Sequence, residues 1–115
     1  MHWALCVIFI KKMEVKYYDS MGGVGRGEIY LDALKRWLVE EAEAKGRSDI
    51  DIEEWNFEDL AKKCPQQKGG IDCGVFVHIN ADFIADDLPL SYSMSDIPLV
   101  RRKITAYLLC GEHSY

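Results

Sequence analysis

The chain has 115 residues, 49% of them hydrophobic and 29% charged, enough to bury one core and too few for two independent domains. Its formal net charge of −5 and the absence of an extended Lys/Arg cluster argue against a nucleic-acid surface, because phosphate binding draws on clustered cations. The longest apolar run, residues 3–10, falls well short of the ~18 residues a membrane helix needs, and the N-terminus lacks the basic stretch and small-residue cleavage site of a secretory signal.

Residues 3–10 are rich in β-branched and aromatic side chains, which predicts a strand covered on both faces and central in its sheet. After the break at Lys11, Lys12 and Met13, residues 14–18 alternate Val15 and Tyr17 against Lys16 and Tyr18, predicting a second strand joined to the first by a hairpin. Gly22, Gly23, Gly25 and Gly27 then punctuate a loop that superficially suggests a phosphate-binding turn. It has neither a G-K-[ST] sequence nor a dinucleotide fingerprint, and it is read as a loop.

From Glu28 the period changes to that of a helix, with Tyr30, Leu31, Leu34, Trp37, Leu38 and Ala42 on one face, ending near Lys45 and Gly46. The acidic residues between Glu40 and Asp59 read as a solvated face and loop. Residues 55–60 are ambiguous between strand and helix, and residues 62–70 are loop by composition. Asp72 is placed to cap a helix over residues 73–84, apolar enough to be buried nearly all round, and Ser93 or Ser95 opens a last helix with Pro98 in its first turn.

Four cysteines, Cys6, Cys64, Cys73 and Cys110, are scattered with no C-x-x-C pair, which favours free thiols in a reducing compartment, the nucleus or cytoplasm. Nothing in the residues calls for a metal or organic cofactor. Cys73 differs from the other three in position: it opens a helix, where unpaired N–H groups and the helix dipole favour a thiolate. His78 and His113 belong to no evident constellation in the sequence.

Residues 65–76, Pro-Gln-Gln-Lys-Gly-Gly-Ile-Asp-Cys-Gly-Val-Phe, resemble the active-site segment of the Ulp/SENP cysteine proteases, which cleave SUMO-like modifiers. His2-Trp3 followed by an apolar strand, and Tyr17-Tyr18-Asp19-Ser20-Met21, resemble that family's His-Trp strand and Tyr-Asp-Ser strand end, in the same order. The resemblance covers the C-terminal half of the family's catalytic domain, here residues 1–115. A departure is Gly70-Ile71, where the family commonly has Gly-Ser or Gly-Thr.

The resemblance implies an α+β papain-like fold, in part, with a small antiparallel sheet packed on the buried helix that starts at Cys73. It implies Cys73 as nucleophile, His2 as its imidazole partner, Asp19 as the carboxylate orienting that ring, and Gln67 as oxyanion donor, with the Cys73 N–H as a second. Trp3 would line the tunnel that admits only the modifier's Gly-Gly tail. The implied activity is a thiol protease or isopeptidase acting after Gly-Gly on a SUMO-like modifier and its lysine-linked conjugates. Competing readings are a catalytically impaired fragment that binds such a modifier, a protease for another ubiquitin-like modifier, and an acetyltransferase using the same Cys, His and acid set.

Overall fold

A computed structural model describes residues 1–22 and 26–111. Part of the glycine loop and His113 lie outside the described residues.

Two strands, β1 (Leu5–Phe9) and β2 (Glu14–Tyr18), pair antiparallel with Leu5 opposite Tyr18 and Phe9 opposite Glu14. Their loop closes with Met13 in the left-handed region at φ 54°. The chain then runs through α1 (Gly27–Ala44) and a 3-10 turn (Ile52–Glu54) before β3 (Asn56–Asp59). Because α1 carries the chain back to its starting end, β3 adds to β2 in parallel. The sheet is therefore mixed, in the order β1-β2-β3. This corrects the expected antiparallel sheet and moves the central place from the first strand to β2.

α1 ends as the sequence predicts. Gly46 adopts φ 65°, Arg47 N–H reaches the Ala42 carbonyl at 2.8 Å, and Gly46 N–H reaches that of Glu43 at 3.2 Å. This is the left-handed closure that satisfies a helix's last carbonyls and that glycine adopts without a Cβ clash. Leu31, Leu38 and Ala42 are buried, whereas Tyr30 and Trp37, assigned to the same stripe, stay about half exposed. Tyr30 instead stacks on Tyr17, ring centroids 5.8 Å apart.

The principal core lies between the sheet and α1, where Val15, Tyr17, Leu31, Leu38, Trp55 and Ala61 meet. Ala4, just before β1, and Cys6 and Ile8 within it add to the core from alternate positions. α2 (Cys73–Ala85) touches β1 but builds a second cluster, in which Phe76 and Ile79 pack with Tyr92 and with Ile97 of α3 (Ile97–Cys110). Buried Asn80 accepts a hydrogen bond from the Tyr92 hydroxyl. The α+β class holds, but the sheet's main partner is α1.

Nor is α2 buried all round: Cys73, Phe76, Ile79 and Asn80 are buried, while Gly74, His78 and Ala81 face outward. An apolar composition specified the helix but not the number of its covered faces. Before α3, a 3-10 turn (Met94–Asp96) is closed by the Asp96 carboxylate accepting the Ser93 N–H at 2.9 Å, so Ser93 opens this segment. Among the described residues no helix is long and apolar enough to cross a membrane.

Candidate active site

Asp19 follows β2 directly and is 3% exposed. Tyr17 and Asp19, two residues apart, lie on one side of the extended backbone, and the Tyr17 hydroxyl donates to Asp19 Oδ2 at 2.8 Å. Met21 N–H donates to Oδ1 at 2.9 Å, and His2 Nε2 lies 2.7 Å from the same oxygen. Burial alone would raise this carboxyl. The Met21 N–H, the Tyr17 hydroxyl and the His2 ring together outweigh it and hold Asp19 below its ordinary value.

An ionised carboxylate only accepts, so the 2.7 Å contact assigns the ring proton to His2 Nε2. That leaves Nδ1 as the basic nitrogen, which is the service a carboxylate performs in a catalytic triad. The Tyr17 hydroxyl is pushed upward by burial and then by the carboxylate it serves, so it remains a donor.

Gln67 is tied to the residue after Asp19 twice: its N–H donates to the Ser20 carbonyl at 2.8 Å, and the Ser20 hydroxyl donates to its Oε1 at 3.3 Å. With Oε1 engaged, its amide nitrogen Nε2 is buried and has no hydrogen-bond partner among the described residues. Such an orphan donor is costly in a folded protein. It is the group that the family resemblance implies as an oxyanion donor. Gln66 lies within hydrogen-bond reach of the Asp19, Ala61 and Cys64 carbonyls, at 3.2, 2.6 and 2.8 Å. It fastens the loop to the strand end and thereby sets the position of its neighbour Gln67.

Cys73 is the first residue of α2 and is 5% exposed. Among the described residues His2 meets Asp19, and the Cys73 sulfur makes no hydrogen bond to the His2 ring. The first intrahelical bond runs from Phe76 N–H to the Asp72 carbonyl at 3.0 Å. The N–H groups of Cys73, Gly74 and Val75 are thus left without intrahelical partners. Asp72 occupies the capping position but its side chain caps nothing; the carboxylate turns instead to Arg101 of α3. That corrects the expected cap.

Trp3 is 58% exposed and, with His2, Tyr17, Asp19, Met21 and Tyr30, lines a mostly apolar cleft of about 820 Å³. Among the described residues no group of three or more His, Cys, Asp or Glu is arranged to hold a metal ion. Sequence reasoning missed three supporting residues: Tyr17, which the two-residue strand period could have paired with Asp19, Ser20, and Arg101, for which no local signal exists.

Solved and curated proteins share this arrangement of chain. The yeast C-terminal Ulp1 protease domain, solved in complex with Smt3, the yeast ortholog of SUMO, superposes with a TM-score of 0.81 at 32% identity. The match covers 95% of this chain and 47% of that one. The SUMO protease Ulp1 with its catalytic cysteine oxidised to a sulfenic acid gives a TM-score of 0.81 at 30% identity, over 96% of this chain and 48% of that one. Sentrin-specific protease 2 of Homo sapiens is 36% identical over 109 residues, 94% of this chain and 18% of that protein. Ubiquitin-like-specific protease 1 of Saccharomyces cerevisiae is 32% identical over 110 residues, 94% of this chain and 17% of that protein. The chain thus spans less than a fifth of these curated relatives and about half of the solved domain. Residues 1–113 match the Ulp1 protease family, C-terminal catalytic domain, and the chain belongs to that family.

Proposed function

We propose that this chain carries the catalytic residues of a thiol protease that cuts after the C-terminal Gly-Gly of a SUMO-like modifier, in processing or in release from a lysine conjugate. The observation that carries the reading is the buried Nε2 of Gln67, a donor on a side chain held by Ser20, with nothing among the described residues to receive it.

Cys73 attacks the glycine carbonyl through its sulfur, its proton passing to Nδ1 of His2. The tetrahedral oxygen takes hydrogen bonds from Gln67 Nε2 and the Cys73 N–H. Collapse breaks the C–N bond as His2 protonates the departing amine, leaving a thioester on Cys73. Water then attacks that thioester, giving its proton to His2, and the Cys73 thiolate departs with the carboxylate product released. Asp19 keeps the ring in the required tautomer throughout, and an oxyanion donor of this kind contributes about 2.7 to 4 kcal/mol. Trp3 forms one wall of the passage for the glycine tail, where larger side chains are excluded.

The test is covalent capture. The chain is incubated with a SUMO bearing a C-terminal electrophile, and the adduct is mapped by mass spectrometry. A thioether on Cys73, absent in Cys73→Ser, is the expected result. A folded chain left unlabelled at Cys73 refutes the reading.

A further inference from the structure

Asp72 presents a problem that the local sequence does not solve. An aspartate at the capping position ordinarily folds back on the N–H groups of the helix's first turn. Here those are the Gly74 and Val75 N–H groups, and a carboxylate turned to them would set its charge one residue from the sulfur. Asp72 is 8% exposed, so water screens its charge poorly.

The structure contains a device that removes this conflict. Arg101 reaches over from α3 and places Nε at 3.1 Å and Nη2 at 2.5 Å from Asp72 Oδ1. The same Nη2 also donates to the Ile71 carbonyl at 3.1 Å. The carboxylate is engaged by Arg101, and its side chain forms no capping bond. α3 is itself seated on α2 through Ile97 and Val100 against the Phe76, Ile79 and Tyr92 cluster, so the guanidinium is delivered by a packed element.

We propose that Arg101 is a positioning residue for the nucleophile: it holds the Asp72 carboxylate off the first turn of α2 and neutralises it, leaving the Cys73 sulfur free of an adjacent uncompensated charge. The inference rests on the thiol-protease reading above, and it adds a group that touches neither substrate nor sulfur.

The experiment follows alkylation of Cys73 by iodoacetamide at pH 7 in the full chain. Peptide mass spectrometry separates it from alkylation of exposed Cys110, the internal control. Arg101→Met is expected to slow Cys73 alkylation about tenfold, the effect of one uncompensated like charge beside an ionising group, with Cys110 unchanged. Removing the stranded carboxylate as well, in D72A/R101M, is expected to return the rate to within about threefold of the starting chain. A role confined to tethering α3 predicts no such rescue.

R101Q, which keeps a polar contact but not the cation, replaces R101M if the latter does not fold, with the same fall expected. An unaltered rate in R101M or R101Q, or a double variant as slow as the single one, overturns the inference. A folded chain whose Cys73 never reacts overturns the thiol-protease reading and this inference with it. A reactive Cys73 indifferent to Arg101 overturns this inference alone.

Discussion

Tyr17→Phe isolates one oxygen atom at the centre of the site. Phenylalanine keeps the ring in the sheet-to-α1 core and its stacking on Tyr30. What disappears is the hydroxyl that donates to Asp19 Oδ2 at 2.8 Å. A hydrogen bond to a charged acceptor contributes about 1.5 to 3 kcal/mol, and at 3% exposure Asp19 has little access to replacement water. For a chain of 115 residues the unfolding entropy is about 0.24 kcal/mol/K, so the melting temperature should fall by about 6 to 12 °C.

The loss should also depend on pH. Because Asp19 is held below its ordinary value, its stabilising contribution is present above the unfolded value near ~4 and is lost as pH falls through the lower folded value. Tyr17→Phe raises that folded value toward the unfolded one. The stability gap should therefore be full at pH 7 and narrow below about pH 4, where only a neutral bond of about 0.5 to 1.5 kcal/mol remains. Urea unfolding of both chains at 25 °C from pH 7 to pH 3 measures this directly. A gap under about 0.5 kcal/mol at pH 7, or one that stays constant with pH, would refute the claim that Tyr17 serves the ionised carboxylate.

Gln67→Ala removes a donor that meets its acceptor only in the tetrahedral intermediate, so kcat for a Gly-Gly modifier substrate should fall about 10²- to 10³-fold with KM little changed. Nε2 was unsatisfied in the resting chain and the side-chain bond lost is the 3.3 Å contact from the Ser20 hydroxyl to Oε1, so urea unfolding should show a loss of only about 1 kcal/mol; a chain destabilised by several kcal/mol would mark Gln67 as structural instead. Gly27→Ala tests the start of α1, where a Cβ would come within 2.8 Å of Tyr17 Cδ1 and 2.3 Å of Asp59 Oδ2. Overpacking of this kind costs about 1 to 3 kcal/mol, and an unchanged denaturation midpoint would show that the two side chains can yield.

Much of this protein was readable one segment at a time. The end of α1, the hairpin and the Ser93 start follow from rules that act within a few residues: helical period, a glycine able to adopt positive φ, and a side chain placed to accept from a nearby N–H. The candidate site residues were legible for a different reason. His2, Asp19, Gln67 and Cys73 stand in short strings whose wording resembles a family, and wording survives without any knowledge of contacts.

What the sequence by itself determined, then, is most of the elements and, through the family resemblance, the candidate site residues. Tertiary structure decided how they meet. Residues 3–10 are apolar enough for a central strand, yet β1 lies at the edge, because a strand's place depends on where α1 returns the chain. Tyr30 and Trp37 have the helical period of buried residues and remain half exposed, because burial depends on what packs opposite. Asp72 shows the same division in a single residue. Local rules make it a cap, but the field of a guanidinium 29 positions later in the chain, brought close only by the docking of α3, turns its carboxylate the other way.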